Sequence, residues 1–294
     1  MQPVASWLVA RPQNAVLGLA ATLLLPFAQV VSGAVIVLLV LQQGLRTALL
    51  ESAAALTVLA VVSLLVNAPL AQLLVNALVT WLPVMLLATV MLRARSFTLA
   101  LQVAAIVAIV ATLGFFLVLG DPTVFWIEVL TRLSAFFAGM GLQEQAELLA
   151  TQTALLAPQM TMVVVSASWS IIVLVLALGY VLYGALPGKN ASFGRFCDLN
   201  FGRVLALTMA VTSVAAFFAG AAWLKNIAFV AFVIFWIQGL ALVHWLHIER
   251  RMHVVMVIGV YAALFLLSPL VVIALAVVGY ADAWFGLRNR MKRA

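Results

Sequence analysis

Charged side chains are the first thing this sequence lacks. Of its 294 residues only 8% are Asp, Glu, Lys or Arg, and the acidic ones number 8. A soluble chain keeps about a quarter of its residues charged, so too few are present here to cover a surface facing water. Cysteine is scarcer still: Cys197 stands alone. One thiol excludes an internal disulfide and a cysteine-rich metal site. It reads as a small apolar filler near a membrane surface, because a reactive thiol needs an exposed, electropositive setting. Catalytic signatures are also missing. There is no G-x-S-x-G, no H-E-x-x-H, no Walker-type glycine loop, no internal repeat and no pair of carboxylates inside an apolar run. With no nucleophile–base pair visible, the chain is not expected to be an enzyme or to hold a cofactor.

What the sequence has in abundance is oil. Hydrophobic residues make up 67% and the mean hydropathy is +1.26. Apolar runs near 20 residues are the mark of transmembrane helices. Barrel strands would alternate polar and apolar over short segments, whereas these runs are apolar on every face. The expected fold class is therefore all-α, a polytopic transmembrane helical bundle, with every backbone amide satisfied inside its own helix. The formal charge of +7 would raise the question of nucleic acid in a soluble protein. Here the basic residues fall in short clusters at helix ends, the pattern of membrane topology and anionic headgroups. The partner this implies is the lipid bilayer, and no nucleic acid is expected.

Clear spans cover 47–66, 71–92, 97–119, 159–183, 204–223 and 227–246. Two longer apolar stretches, 15–41 and 254–282, each carry a proline near the middle, Pro26 and Pro269. Proline removes a backbone donor and clashes with the preceding turn. Each stretch is thus either one kinked helix or two limbs that turn back. Charge decides between them. If both stretches cross once with the N-terminus inside, the 15 Lys and Arg residues divide seven inside and eight outside. If both fold back, only Arg132 and Lys225 lie outside and the other thirteen lie inside, the asymmetry of the positive-inside rule. The expected topology is N-in and C-in, with two proline-turned hairpins. Limbs of about 11–14 residues reach only about 16–21 Å, so they would be re-entrant and help wall a cavity. The start, "MQPVASWLVARPQN", reads as uncleaved, because Pro26 sits where a cut after Ala28 would want a small residue.

The segment 120–158 differs from the rest. In "FWIEVLTRLSAFFAGM" the apolar residues Trp126, Val129, Leu130, Leu133, Phe136 and Phe137 share a face, while Glu128 and Arg132 pair four apart on the other. "QEQAELLATQTALLAP" reads as a second amphipathic helix. The pair makes an extracytoplasmic insertion, either a lid over an outward cavity or a connection resting on lipid. At the other end, residues 284–294 form a basic cytoplasmic tail that anchors the last helix at the headgroups. The chain reads as one integral membrane domain.

Polar side chains inside the spans are costly and call for a role. Glu51, about one turn from Arg46, reads as half of an interfacial ion pair. Gln72 and Asn76 share a helical face, Gln102 lies early in its span, and Gln238 stands between Trp236 and Gly239. Interhelical hydrogen bonding explains such amides. The sharper reading makes Gln72, Asn76 and Gln238 a polar lining, with Trp81, Trp169 and Trp236 as walls. His244 and His247 lie three apart and His253 follows, but no cysteine or acidic cluster completes a metal site. Asp282 and Arg288 read as a structural clamp. Six residues apart, they can pair only if the helix ends between them.

Three short motifs carry a resemblance. The segment "GYADAWFGLRNR" brings together Gly279, Asp282, Trp284 and Arg288; "FWIQGLALVHWLHIERR" joins an aromatic, Q-G-L-A and basic residues; and "VLQQGLRTALL" forms a glycine–basic turn. In these the chain resembles the YybS-like bacterial membrane family, which in turn is similar to the substrate-binding S-components of energy-coupling-factor transporters. The resemblance covers most of the chain by hydropathy and these motifs by residue. The histidines and the "KNASFGRFCDLN" loop have no counterpart in the family. The resemblance implies a helical bundle with an outward ligand pocket that docks onto a transmembrane coupling protein with ATPases. Docking through small residues of the first helix would fall on Gly18 and Thr22. The other open reading is a membrane scaffold or assembly factor with no transported ligand.

Overall fold

In a computed structural model the protein is described over residues 1–25, 28–67, 69–189 and 193–293. Regular structure among these residues is helical throughout, without a strand. Seven helical stretches are long and apolar enough to cross a membrane: Leu45–Leu65, Leu70–Ala94, Phe97–Leu119, Gln143–Gly184, Gly202–Ala219, Ala222–Ile248 and Ser268–Phe285. The chain is a multi-pass membrane protein built as an all-α bundle. It packs as two compact units, Met1–Ala104 with Ser170–Asp198, and Ala105–Trp169 with Leu199–Ala294.

The first unit holds α1 (Gln2–Ala10), α2 (Pro12–Leu23), α3 (Ala28–Gln43), α4 (Leu45–Leu65) and α5 (Leu70–Ala94), and it takes in parts of α6 (Phe97–Leu119) and α9 (Met160–Gly184). Proline starts the first two helices, where its missing N–H costs nothing, and Arg11 between them is extended. Pro26, the expected turn, lies outside the described residues. The helices on either side of it, α2 and α3, pack against each other and both pack on α4, so this stretch folds back. Gly44, at φ 87°, breaks α3 from α4. The Trp81 indole of α5 donates to Ser32 Oγ of α3 across 2.8 Å, both buried. Gly33 and Gly179 let α3 and α9 approach closely: a Cβ on Gly33 would lie 2.8 Å from a Val175 methyl, and one on Gly179 2.4 Å from Val37 Cβ. Below them the 193–198 segment is held by aromatics. Phe193 stacks on Tyr180 and Tyr183, donates its N–H to the Tyr180 hydroxyl and accepts the N–H of Phe97.

The second unit begins with the rest of α6, followed by α7 (Pro122–Gly139) and α8 (Gln143–Leu156). Asp121 caps α7 by accepting the Thr123 N–H, a bond that also holds its carboxyl below the usual carboxylate range. Trp126 and Leu130 bury with Ala157, against Phe115 of α6 and Met160 and Val164 of α9, and the Trp126 indole donates to Thr161 at 2.7 Å. Glu128 and Arg132 pair on the exposed side. Leu133 and Phe136, on the same expected apolar face, are exposed. The apolar stripe that meets protein is therefore narrower than the sequence pattern.

The rest of this unit is α10 (Gly202–Ala219), α11 (Ala222–Ile248), α12 (Val254–Leu266), α13 (Ser268–Phe285) and α14 (Leu287–Arg293). The expected 204–223 span is cut short. Gly220, at φ 64°, ends α10, and Trp223 belongs to α11. The stretch containing Pro269 does fold back. Val257 of α12 and Leu275 of α13 bury together with Val243 of α11, which two limbs of a single crossing could not do. The limbs are unequal, however. With 18 residues, α13 is about 27 Å long at 1.5 Å per residue, close to a bilayer core, while α12 is about 20 Å.

Candidate functional site

The polar site of the second unit is made by a backbone contact. Gly239 of α11 and Gly279 of α13 face each other so closely that a Cβ on Gly239 would lie 1.9 Å from Leu275 O, and one on Gly279 2.1 Å from Phe235 O. Small residues permit such approaches between membrane helices. The side chains flanking the contact are trapped. Gln238 is 0% exposed and Asp282 1%. Gln238 accepts the Phe201 N–H at its Oε1 (2.8 Å) and donates from Nε2 to Asp282 Oδ2 (3.1 Å). Phe201 sits at the start of α10, where backbone N–H groups have no partner within the helix.

Asp282 is met from the other side by Arg288. α13 ends at Phe285, Gly286 takes the left-handed conformation at φ 58°, and the chain turns so that Arg288 Nη2 lies 3.2 Å from Asp282 Oδ2. The Arg288 backbone N–H reaches Oδ1 at 3.5 Å. Aromatic rings surround the network: Trp169 against Phe201, Phe201 against Phe235, Phe235 against Tyr280, and Tyr280 against Trp284. A charge buried this deeply persists only when paired and hydrogen-bonded, and both conditions hold. The group joins α10, α11, α13 and α14, and both carboxylate oxygens are engaged within it. It also unites two of the motifs singled out in the sequence, "FWIQGLALVHWLHIERR" and "GYADAWFGLRNR". The sequence reading missed the Phe201 N–H and the Gly239–Gly279 contact. A glycine within three residues of the key side chain in each motif was the available signal.

The first unit also buries a carboxyl. Glu51 is 4% exposed, and the Gln43 amide, turned so that its nitrogen donates, places that nitrogen 3.0 and 3.1 Å from the two carboxylate oxygens. The expected partner was Arg46. Arg46 instead is exposed, and the Gly44 turn brings the end of α3 alongside Glu51.

A groove of about 650 Å³ lies in the same unit, lined by Leu23 and Leu24 from the end of α2 and by Pro69, Gln72, Leu73, Val75, Asn76 and Val79 from the start of α5. Gln72 and Asn76 are exposed in it. They share the groove, and among the described residues no ionisable side chain lines it. Trp81 is buried on Ser32, outside this lining. In the second unit, Trp169 joins Gln238 through Phe201, and Trp236 packs on the Val243–Val257–Leu275 cluster. Gly18 is covered by α1, where Leu8 fills the place of its missing side chain, and Thr22 donates to the Gly18 carbonyl. His244 contacts the Leu240 carbonyl and the Tyr261 hydroxyl, His247 the Met252 carbonyl, and His253 caps α12. Among the described residues no group of three His, Cys, Asp or Glu could hold a metal ion.

Compared with models of known protein families, with curated proteins and with solved structures, the chain matches none.

Proposed function

We propose that the chain is the solute-binding subunit of an uptake system in a bacterial inner membrane, of the kind its resemblance to S-components implies. The observation that carries this reading is the groove at the start of α5. Its volume falls in the range of small-molecule sites, and its wall is apolar with two amides placed to orient a ligand. With N-in topology the end of α2 and the start of α5 lie toward the outside, and the groove lies with them. The uncharged lining suits a neutral solute with an apolar body and a hydrogen-bonding edge. The chain has no Walker loop, so transport would draw on a coupling protein with ATPases. Docking at Gly18 and Thr22 would require α1 to leave its place over Gly18.

A second reading, a scaffold or assembly factor, draws on the second unit, where Gln238, Asp282 and Arg288 bind one another and two helices touch backbone to backbone. Native mass spectrometry of the protein purified gently from its own membranes separates the two. A co-purifying small molecule or a coupling protein with ATPases supports uptake. Substituting Gln72→Leu and Asn76→Leu together should then strip the small molecule while leaving the folded yield unchanged. Recovery of lipid alone, or of envelope-assembly proteins, sinks the uptake reading and favours the scaffold.

A further inference from the structure

The α11–α12 turn and α14 bring together cations that lie forty residues apart in sequence. The Arg251 guanidinium donates to the carbonyl of Met291, which sets the pair Arg250 and Arg251 beside the pair Arg290 and Lys292. All four are exposed. The Arg290 guanidinium lies 5.8 Å from the centre of the Phe285 ring, and the Lys292 ammonium lies 5.8 Å from that of Trp245. Arg251, Arg290 and Lys292 thus meet a carbonyl and aromatic faces, and none of the four joins an ion pair among the described residues. Arg288 adds nothing to the patch, because Asp282 neutralises it. Glu249 is the nearest acid in sequence, so four cations stand against one anion.

The margin of the patch is apolar. Ile248, Val254, Val255 and Phe285 are all exposed around it. A soluble anion would need only the cations, whereas a lipid uses both parts, its phosphate on the guanidinium groups and its chains along the apolar rim. Basic pockets between membrane helices hold anionic headgroups in this way, and arginine suits phosphate through paired N–H bonds. We propose that this patch is a headgroup site for an anionic phospholipid. Its two cation pairs fit a lipid with two phosphates, such as cardiolipin, better than one with a single phosphate. The site does not depend on the uptake reading.

The test is native mass spectrometry of the full chain in mild detergent, given equal amounts of tetraoleoyl cardiolipin, dioleoyl phosphatidylglycerol and dioleoyl phosphatidylcholine. Retention should fall in that order, with cardiolipin held about tenfold more than phosphatidylcholine. Arg250→Ala with Arg290→Ala leaves the Arg251 contact in place and should lower cardiolipin retention about tenfold. Arg250→Lys with Arg290→Lys should keep most of it, and Arg46→Ala should change nothing. Equal retention of the three lipids, or an Ala pair that binds like the unaltered protein, overturns the proposal. Displacement of cardiolipin by excess inorganic phosphate would also overturn it, by showing a general anion site.

Discussion

Glu51 in the first unit and Asp282 in the second are both buried carboxyls, and each is met by a glutamine amide. They differ in what else reaches them. Asp282 has a guanidinium at 3.2 Å. Glu51 has no cation partner among the described residues; the nearest in sequence, Arg46, is exposed. The glycine contacts differ in parallel. In the first unit they press on valine side chains as well as the Ala34 carbonyl, and in the second they press on backbone. The comparison teaches that one unit is fixed by charge and main chain, while the other is held by softer contacts that can give.

The sharpest way to break this contrast is Asp282→Ala. Removing one partner of a buried pair costs about 3–5 kcal/mol, because Arg288 is left buried and alone. Folded yield and the midpoint of thermal unfolding in detergent should fall together. Normal yield with lost ligand binding would mean that the carboxylate serves a ligand rather than the fold. Next in size is Gly239→Ala, whose new methyl meets the Leu275 carbonyl; overpacking of this kind costs about 1–3 kcal/mol. The matching change in the first unit, Gly33→Ala, meets only a Val175 methyl and should cost less. Equal costs at the two positions would erase the distinction between backbone and side-chain contact.

Smaller effects sharpen the picture. Trp81→Phe removes the indole donor from Ser32 and should cost about 1 kcal/mol, read from the same unfolding midpoint. Glu51→Gln keeps the shape and removes the charge. With no cation left behind, it should shift stability by no more than about 0.5 kcal/mol. A loss as large as that of Asp282→Ala would show that Glu51 has a cation partner after all.

Hydropathy made the helices legible, because a membrane span must bury its backbone and its length is set by the bilayer. The starts and ends of α4, α5, α6 and α9 fall within a few residues of the apolar runs. Two other features were harder to read. The end of α10 depends on one glycine, Gly220, in an unbroken apolar run, so no change of composition marks it. The partner of Glu51 was missed because proximity along a helix favours Arg46, whereas the Gly44 turn supplies Gln43 from the preceding helix. In the polar network, Asp282 and Arg288 could be paired on paper, since the chain offers a glycine between them. The Phe201 N–H could not, because a backbone donor leaves no trace in side-chain pattern. Of the six expected lining residues, Gln72 and Asn76 share a groove by virtue of helical spacing. The tryptophans were chosen for their chemistry, which packing and hydrogen bonding use equally well.

The order of the polar network along the chain has a consequence for how the protein is made. Phe201 and Gln238 enter the membrane on α10 and α11, yet Asp282 follows Gln238 by 44 residues and Arg288 comes later still. Until α13 arrives, the amide at the middle of α11 has only half its partners, and the Gly239 surface has nothing against it. Insertion of the final hairpin is therefore a closing step. A nascent chain stalled before α13 would present an unmet glutamine and a bare backbone groove within the bilayer, the kind of surface by which membrane quality control can recognise an unfinished protein.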